Sequence, residues 1–264
     1  MQLRPILSIA AVACALALPA SAAIKKVPYP EVKVQIVEAY KPDAAFEAMR
    51  KKFSEAVAKK DAQALFGLVA PTFVWTFQGG SSGEFDMGRD ALHNFKVVFG
   101  FRPQGADADG PVENGPFWEM LAGFASDGTY YQDDQAYNLV CGPITANAVD
   151  EDVMEKARNK LEVGEETVDW YFTVAPTSVV KAPNDSGPPV AKVGVVALPA
   201  LSLYPPVEEG KPGVPATHVE VLLPNGKSGW VPLSAVRAWD SERLCYAKTP
   251  KGDWKISAYD QLEQ

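Results

Sequence analysis

The chain has 264 residues, 47% of them apolar, and sets 25 basic against 33 acidic side chains, for a net charge of −8 and a pI near 4.9. That acidic surplus repels phosphate backbones and anionic headgroups, which excludes nucleic acid and acidic membranes as electrostatic partners. Two histidines, His93 and His218, lie far apart in the sequence, so histidine-rich zinc motifs are excluded as well.

Residues 1–22 read as a secretory signal peptide. Arg4 is a short positive region, Ile6 to Leu18 is a nearly unbroken apolar run, and Ala20-Ser21-Ala22 supplies small residues for cleavage. The apolar run is shorter than the roughly 20 residues that span a bilayer as a helix, and Pro19 closes it. Lipid attachment at Cys14 is an alternative, but Ala11-Val12-Ala13 lacks the leucine that usually leads such a site. Cleavage after Ala22, or at the neighbouring Ala23, leaves roughly 240 residues with a net charge of about −9. No later segment reaches transmembrane length. The expected product is periplasmic or secreted.

Only Cys141 and Cys245 remain after cleavage. In an exported protein two cysteines read as one disulfide, the alternative being two unrelated buried thiols. Closing the loop between them removes roughly 4–5 kcal/mol of unfolded-state entropy.

The segment after Ala22 is a proline-marked lead with an alternating run, Val32 to Val37, read as a linker or an edge strand. From Asp43 the spacing turns helical: Phe46, Met49, Phe53, Val57 and Leu65 form one stripe, broken at Lys60-Asp61 and stopped by Pro71. "TFVWTFQGG" is a strand ending in a glycine turn, "DMGRDALHNFKVVFGF" a helix, "RPQGADADGPVENGP" a loop, "FWEMLAGFASDG" a helix and "AYNLVCGPI" a strand. "DEDVMEKARNKLEVGEE" is charged and poor in apolar residues, which predicts a solvated helix or a bridging loop.

The helix ending in "KKDAQALFGLVAPTFVWTF", the glycine turn and the next helix with its paired Phe95 and Phe99 resemble the opening of the NTF2-like, or SnoaL-type, cone fold over residues 43–101. That resemblance implies a helix pair packed on a strongly curved sheet around a pocket.

From Trp170 to Arg237, short strands alternate with Gly and Pro loops, which argues for a small barrel. The Val219–Leu223 run, the Asn225-Gly226 turn and the return through Gly229-Trp230-Val231 supply a hairpin. Gly226-Lys227-Ser228-Gly229-Trp230-Val231, followed by "PLSAVR", resembles the bacterial SH3 domain, SH3b. The family's usual opening reads Val179-Val180-Lys181-Ala182-Pro183 here, which departs from its pattern. The resemblance implies contact with peptidoglycan or a protein partner. Trp230 is expected to fill core or core-edge space, with Gly229 making room for a close backbone. The tail, Arg243 to Lys248 and Trp254 to Tyr259, reads as two strands returning to the first unit, its "G-x-W-K-I" segment resembling a closing NTF2-like strand.

The expected class is therefore α+β. An NTF2-like unit of residues 23–165, completed by 239–264, carries an inserted SH3b-like barrel of residues 168–238. The ligand-binding candidates are Trp230 and Tyr204 in the barrel and His93 and Asp90 in the helical unit. No catalytic set, metal site or cofactor motif is read. An Asp86, Asp90 and His93 group could supply a general base, against which stands a capped histidine at a helix start. "DADG" at Asp107 fails as a calcium loop at Pro111, and Asp133-Asp134 reads as a solvated turn. Trp118, Tyr130, Tyr131, Trp170 and Tyr171 could stack on sugars but are expected in the core. Two functions compete: a non-enzymatic exported binding protein, or a small-molecule enzyme or ligand-binding protein using the NTF2-like pocket. A pocket filled by Phe77, Phe95 and Phe99 favours binding; an apolar pocket with converging polar groups favours the enzyme.

Overall fold

A computed structural model describes residues 24–76, 90–101, 116–133, 139–164, 168–206, 215–239 and 241–260. Residues 1–22, read above as a signal peptide, lie outside these residues, as do Phe77, Asp86 and the "DADG" stretch at Asp107.

In chain order the elements are β1 (Val32–Ile36), α1 (Ala44–Ala58), α2 (Ala62–Phe66), β2 (Val69–Thr76), α3 (Ala91–Val98), α4 (Trp118–Ser126), β3 (Tyr131–Asp133), β4 (Leu139–Gly142), β5 (Ala146–Val149), α5 (Glu151–Leu161), β6 (Trp170–Thr173), β7 (Thr177–Val179), β8 (Ala191–Val193), β9 (Val196–Tyr204), β10 (His218–Leu222), β11 (Ser228–Pro232), a 3₁₀ turn (Leu233–Ala235), β12 (Val236–Ala238), β13 (Arg243–Lys248) and β14 (Trp254–Asp260). The class is α+β. Among the described residues no helix is long and apolar enough to cross a membrane.

Among the described residues, aspartates start four of the five α-helices. Asp43, Asp61, Asp90 and Asp150 each accept a hydrogen bond from the backbone N–H three residues on, which satisfies an otherwise orphaned helix donor. The break at Lys60-Asp61 falls between α1 and α2 as the stripe predicts. The second helix ends at Gly67, before Pro71, which lies within β2. Among the described strands β2 pairs only with β14, and Pro71 falls where that register shifts, so its missing N–H costs no ladder bond.

The helical half rests on a mixed sheet of order β2-β14-β13-β4-β3, in which only β2 and β14 run parallel. Phe46, Phe53, Phe73, Phe95, Phe99, Tyr246 and Ile256 meet in its core. The C-terminal strands are thus central members of a sheet whose other strands precede residue 143. Cys141 on β4 and Cys245 on β13 stand directly opposite, 4.0 Å apart at Cα, and are joined as a disulfide. Non-reducing peptide mapping of protein taken from an oxidising compartment is expected to recover one linked Cys141–Cys245 peptide; two free thiols would contradict the pairing.

The chain between the two cysteines, together with β1 from ahead of them, builds a second sheet, of order β11-β10-β9-β1-β5, with β6 beside β9 and β12 beside β6. Two expectations are corrected here. The Val32–Val37 run is neither a linker nor an edge, because β1 lies between β9 and β5, with Val32 and Val34 buried. The charged stretch at 151–161 is a helix with one buried stripe: Met154, Ala157 and Leu161 pack on Val32, Trp170 and Phe172. Three apolar residues at helical spacing suffice to seat it. β1, β5 and α5 therefore join the β-rich half, although they precede residue 165. A second small core, with Val179, Leu198, Val219, Val221 and Val231, fills the barrel-like part of that half.

Burial pushes the phenols of Tyr29, Tyr246 and Tyr259 well above their usual value near 10. Each is protonated in the folded chain and ionises near that value once exposed, so unfolding releases protons only at alkaline pH. The contribution of these three tyrosines is expected to be flat up to about pH 10 and to fall above it. Tyrosinate absorbance that rises together with loss of structure would check this; smooth ionisation of all tyrosines without unfolding would contradict it.

Candidate functional site

The outer face of the β9-β10-β11 ladder is set by strand alternation. Val219 and Val221 on β10 and Val231 on β11 point into the barrel core, so His218, Glu220 and Trp230 point outward. The register places Glu220 opposite Trp230 on one side and Ser202 on the other. Of the core or core-edge places expected for Trp230, the half-buried ring takes the edge, on the outer face, and Val231 takes the inward position. Gly229 does make room for a close backbone: a Cβ there would lie 2.5 Å from the Val179 side chain and 3.0 Å from the Val180 carbonyl. Val180 and Trp230 exchange backbone hydrogen bonds at this crossing, of 2.9 and 2.8 Å. Gly229→Val is expected to cost about 1–3 kcal/mol through overpacking, measured by urea unfolding; an unchanged midpoint would contradict the close approach.

The turn of this hairpin is Pro224-Asn225, followed by Gly226 at φ 80°, the arrangement of a three-residue loop closed by a left-handed glycine. The segment ahead of β1 passes close by, with the Val27 carbonyl carbon and the Pro28 nitrogen 2.9 Å from where a Gly226 Cβ would sit. The Tyr29 hydroxyl donates to the Leu222 carbonyl at 2.7 Å and anchors the lead there.

Two sequence candidates meet on this face. The Tyr204 and Trp230 rings stand edge to face, with centroids 6.1 Å apart and an interplanar angle of 81°. Tyr204 is 37% exposed, and Val190, 51% exposed, borders Gly229. The Asn184 amide donates to the Tyr204 hydroxyl at 3.4 Å. The Ser202 hydroxyl donates to Glu220 Oε2 at 3.1 Å, and Lys26 Nζ lies 4.0 Å from Glu220 Oε1. His218 points outward beside them, its Nδ1 2.9 Å from Thr217 Oγ1.

The other two candidates, Asp90 and His93, also meet, but as a helix cap. Asp90 Oδ1 accepts from the His93 backbone N–H at 2.7 Å, and the imidazole takes no part in that bond. Asp90→Ala is expected to cost about 1 kcal/mol and His93→Ala less, in thermal unfolding; turnover that depends on His93 would reverse this assignment. Phe95 and Phe99 are fully buried and pack with Phe73 and Tyr259. Tyr130, Tyr131 and Trp170 are buried in cores as expected, while Trp118 and Tyr171 are half-buried. Asp133 ends β3 and is partly exposed.

The residue that the sequence reading passed over is Arg50. It lies on the apolar stripe of α1 between Phe46 and Phe53 and is 5% exposed. One guanidinium nitrogen donates to the Tyr246 hydroxyl at 2.5 Å; another donates to the carbonyls of Phe124, Ala125 and Asp127 at 2.7–3.2 Å, where α4 ends. The same group lies over the rings of Phe53, Tyr130 and Tyr246. A cation at a helix C-terminus is favoured by the helix dipole, and the rings supply further attraction. The Asp127 carboxylate meets Arg237 from β12 at 2.6 Å and also accepts from Thr129, tying the helical half to the β-rich half. An arginine in the middle of an apolar stripe was the available signal.

Among the described residues no three His, Cys, Asp or Glu side chains converge as metal ligands would. No protein family, curated protein or solved structure matches the chain.

Proposed function

We propose that this chain is an exported, non-enzymatic binding protein whose β-rich half contacts cell-wall peptidoglycan or a protein partner in the same compartment. The observation that carries this reading is the Tyr204–Trp230 pair. Two large rings lie partly open on the outer face of the ladder, while most of the described aromatic residues are packed inside. Partly open Trp and Tyr rings give large contact area at low entropic cost, and they are enriched where proteins bind.

The finer identities belong to the same proposal. The five-stranded sheet covered by α1, α3 and α4 fits an NTF2-like unit, and the β7–β12 region with its Gly229-Trp230-Val231 hairpin fits an SH3b-like barrel. Burial of Phe95 and Phe99 supports binding over pocket chemistry in the helical half. A cysteine pair held as a disulfide suits an oxidising compartment, in keeping with a periplasmic or secreted location.

Co-sedimentation with purified sacculi, in low and high salt, tests the cell-wall arm. The mature chain is expected in the pellet, and Trp230→Ala is expected to reduce the retained fraction about tenfold while shifting the unfolding midpoint little. A protein found entirely in the supernatant would remove peptidoglycan as its target.

A further inference from the structure

We infer that the outer face of β9, β10 and β11 recognises an ammonium group, that of a lysine-type amine on a basic peptide, held against the Trp230 and Tyr204 rings with Glu220 as counter-charge. This inference rests on the binding function proposed above and names the chemistry of its ligand.

The three strands carry Glu220 and not one lysine or arginine. Lys181, Lys192 and Lys227 are exposed and lie off the ladder, in a loop, in the separate β7–β8 pair and in the turn. Glu220 occupies the middle strand directly opposite Trp230, so its carboxylate and the indole share one side of the sheet. Ser202 donates to one carboxylate oxygen and thereby orients it. The other oxygen already faces an ammonium: Lys26 Nζ lies 4.0 Å away, at the outer limit of an ion pair, on a side chain 55% exposed. With Glu220 itself 23% exposed, a pair this long contributes little, and a ligand amine can replace Lys26.

The rings add the second half of the site. An aromatic face attracts a cation through its quadrupole, indole most strongly, and the methylene stem of a lysine covers apolar ring surface while its head reaches a carboxylate. Tyr204 and Trp230 stand nearly perpendicular and offer two differently directed surfaces beside one negative charge. The net charge of −8 on the whole chain favours approach of a cation and opposes that of a polyanion.

The test is a titration of the isotope-labelled mature chain with acetylated and amidated Gly-Gly-Lys-Gly-Gly, with the same peptide acetylated at the lysine amine, and with chitotetraose, observing the Trp230 indole N–H. The lysine peptide is expected to shift that signal, and acetylating its amine to weaken binding at least tenfold. Glu220→Gln, a surface change that spares the core, is expected to weaken it about tenfold, and Lys26→Ala to strengthen it severalfold by removing the competing amine. No shift at millimolar peptide, equal binding of the acetylated peptide, indifference to Glu220→Gln, or a response to chitotetraose alone would each overturn the inference. Sacculus retention keeps the two proposals apart. If sacculi with acetylated amines retain the protein as well as untreated ones, the ammonium assignment falls while the binding function stands.

Discussion

Arg50→Ala is expected to destabilise the protein by about 3–5 kcal/mol, because it strips a buried charged donor from the Tyr246 hydroxyl and the Phe124 carbonyl, while the Ala125 and Asp127 carbonyls keep only Ser54 and Tyr130. The Tyr246 hydroxyl and the carbonyls of Phe124, Ala125 and Asp127 all receive bonds from this one guanidinium, at the point where α4 needs its last carbonyls satisfied. The substitution also leaves a cavity between Phe53, Tyr130 and Tyr246. Arg50→Met separates the two effects. It refills most of the volume but none of the hydrogen bonds, so a loss of about 2 kcal/mol or more should remain. Urea unfolding of the three proteins gives the comparison. A loss below about 1 kcal/mol for Arg50→Ala would mean that the site is wetter than its burial indicates.

Removal of residues 239–264 is expected to unfold the helical half as well. β14 lies between β2 and β13, and β13 lies between β14 and β4, so the cut takes out two central strands and leaves β2 with no described partner. It also removes Leu244, Tyr246, Trp254, Ile256 and Tyr259 from the main core, together with one half of the disulfide. A buried side chain of this size contributes about 1.5–3 kcal/mol, and the sum exceeds the whole stability of a typical domain. The truncated chain should lack the near-ultraviolet signal of packed aromatics and exchange its α1 amides freely. Native-like protection of α1 in the fragment would show that the helical half folds without its C-terminal strands.

Much of this architecture is legible in the residues. Aspartates mark where helices begin, the Phe46-to-Leu65 stripe gives the broken helix pair, and two cysteines far apart in sequence connect the β4 and β13 strands. Partnership between remote strands is what the residues conceal. Val32–Ile36 alternates as an edge strand would, and only the arrival of β9 and β5 on its two sides makes it internal. The same ambiguity governs Trp230. Gly229-Trp230-Val231 has an apolar residue on both faces, so its pattern does not say which face is inside; the tight crossing of Val179 and Val180 over Gly229 decides it. Arg50 stayed hidden because a charged residue on an apolar stripe reads as an interruption until its acceptors, more than 70 residues away, come into view.

Nuclear magnetic resonance mapping of solubilised peptidoglycan fragments on the isotope-labelled chain from residue 23 onward tests most directly where the protein binds. Shifts are expected at the Trp230 indole and at the amides of residues 202–204, 218–220 and 228–231, with α3 and His93 silent. Shifts centred on Asp90 and His93, with the β9-β10-β11 face unmoved, would place the binding site in the helical half and contradict the function proposed for this face.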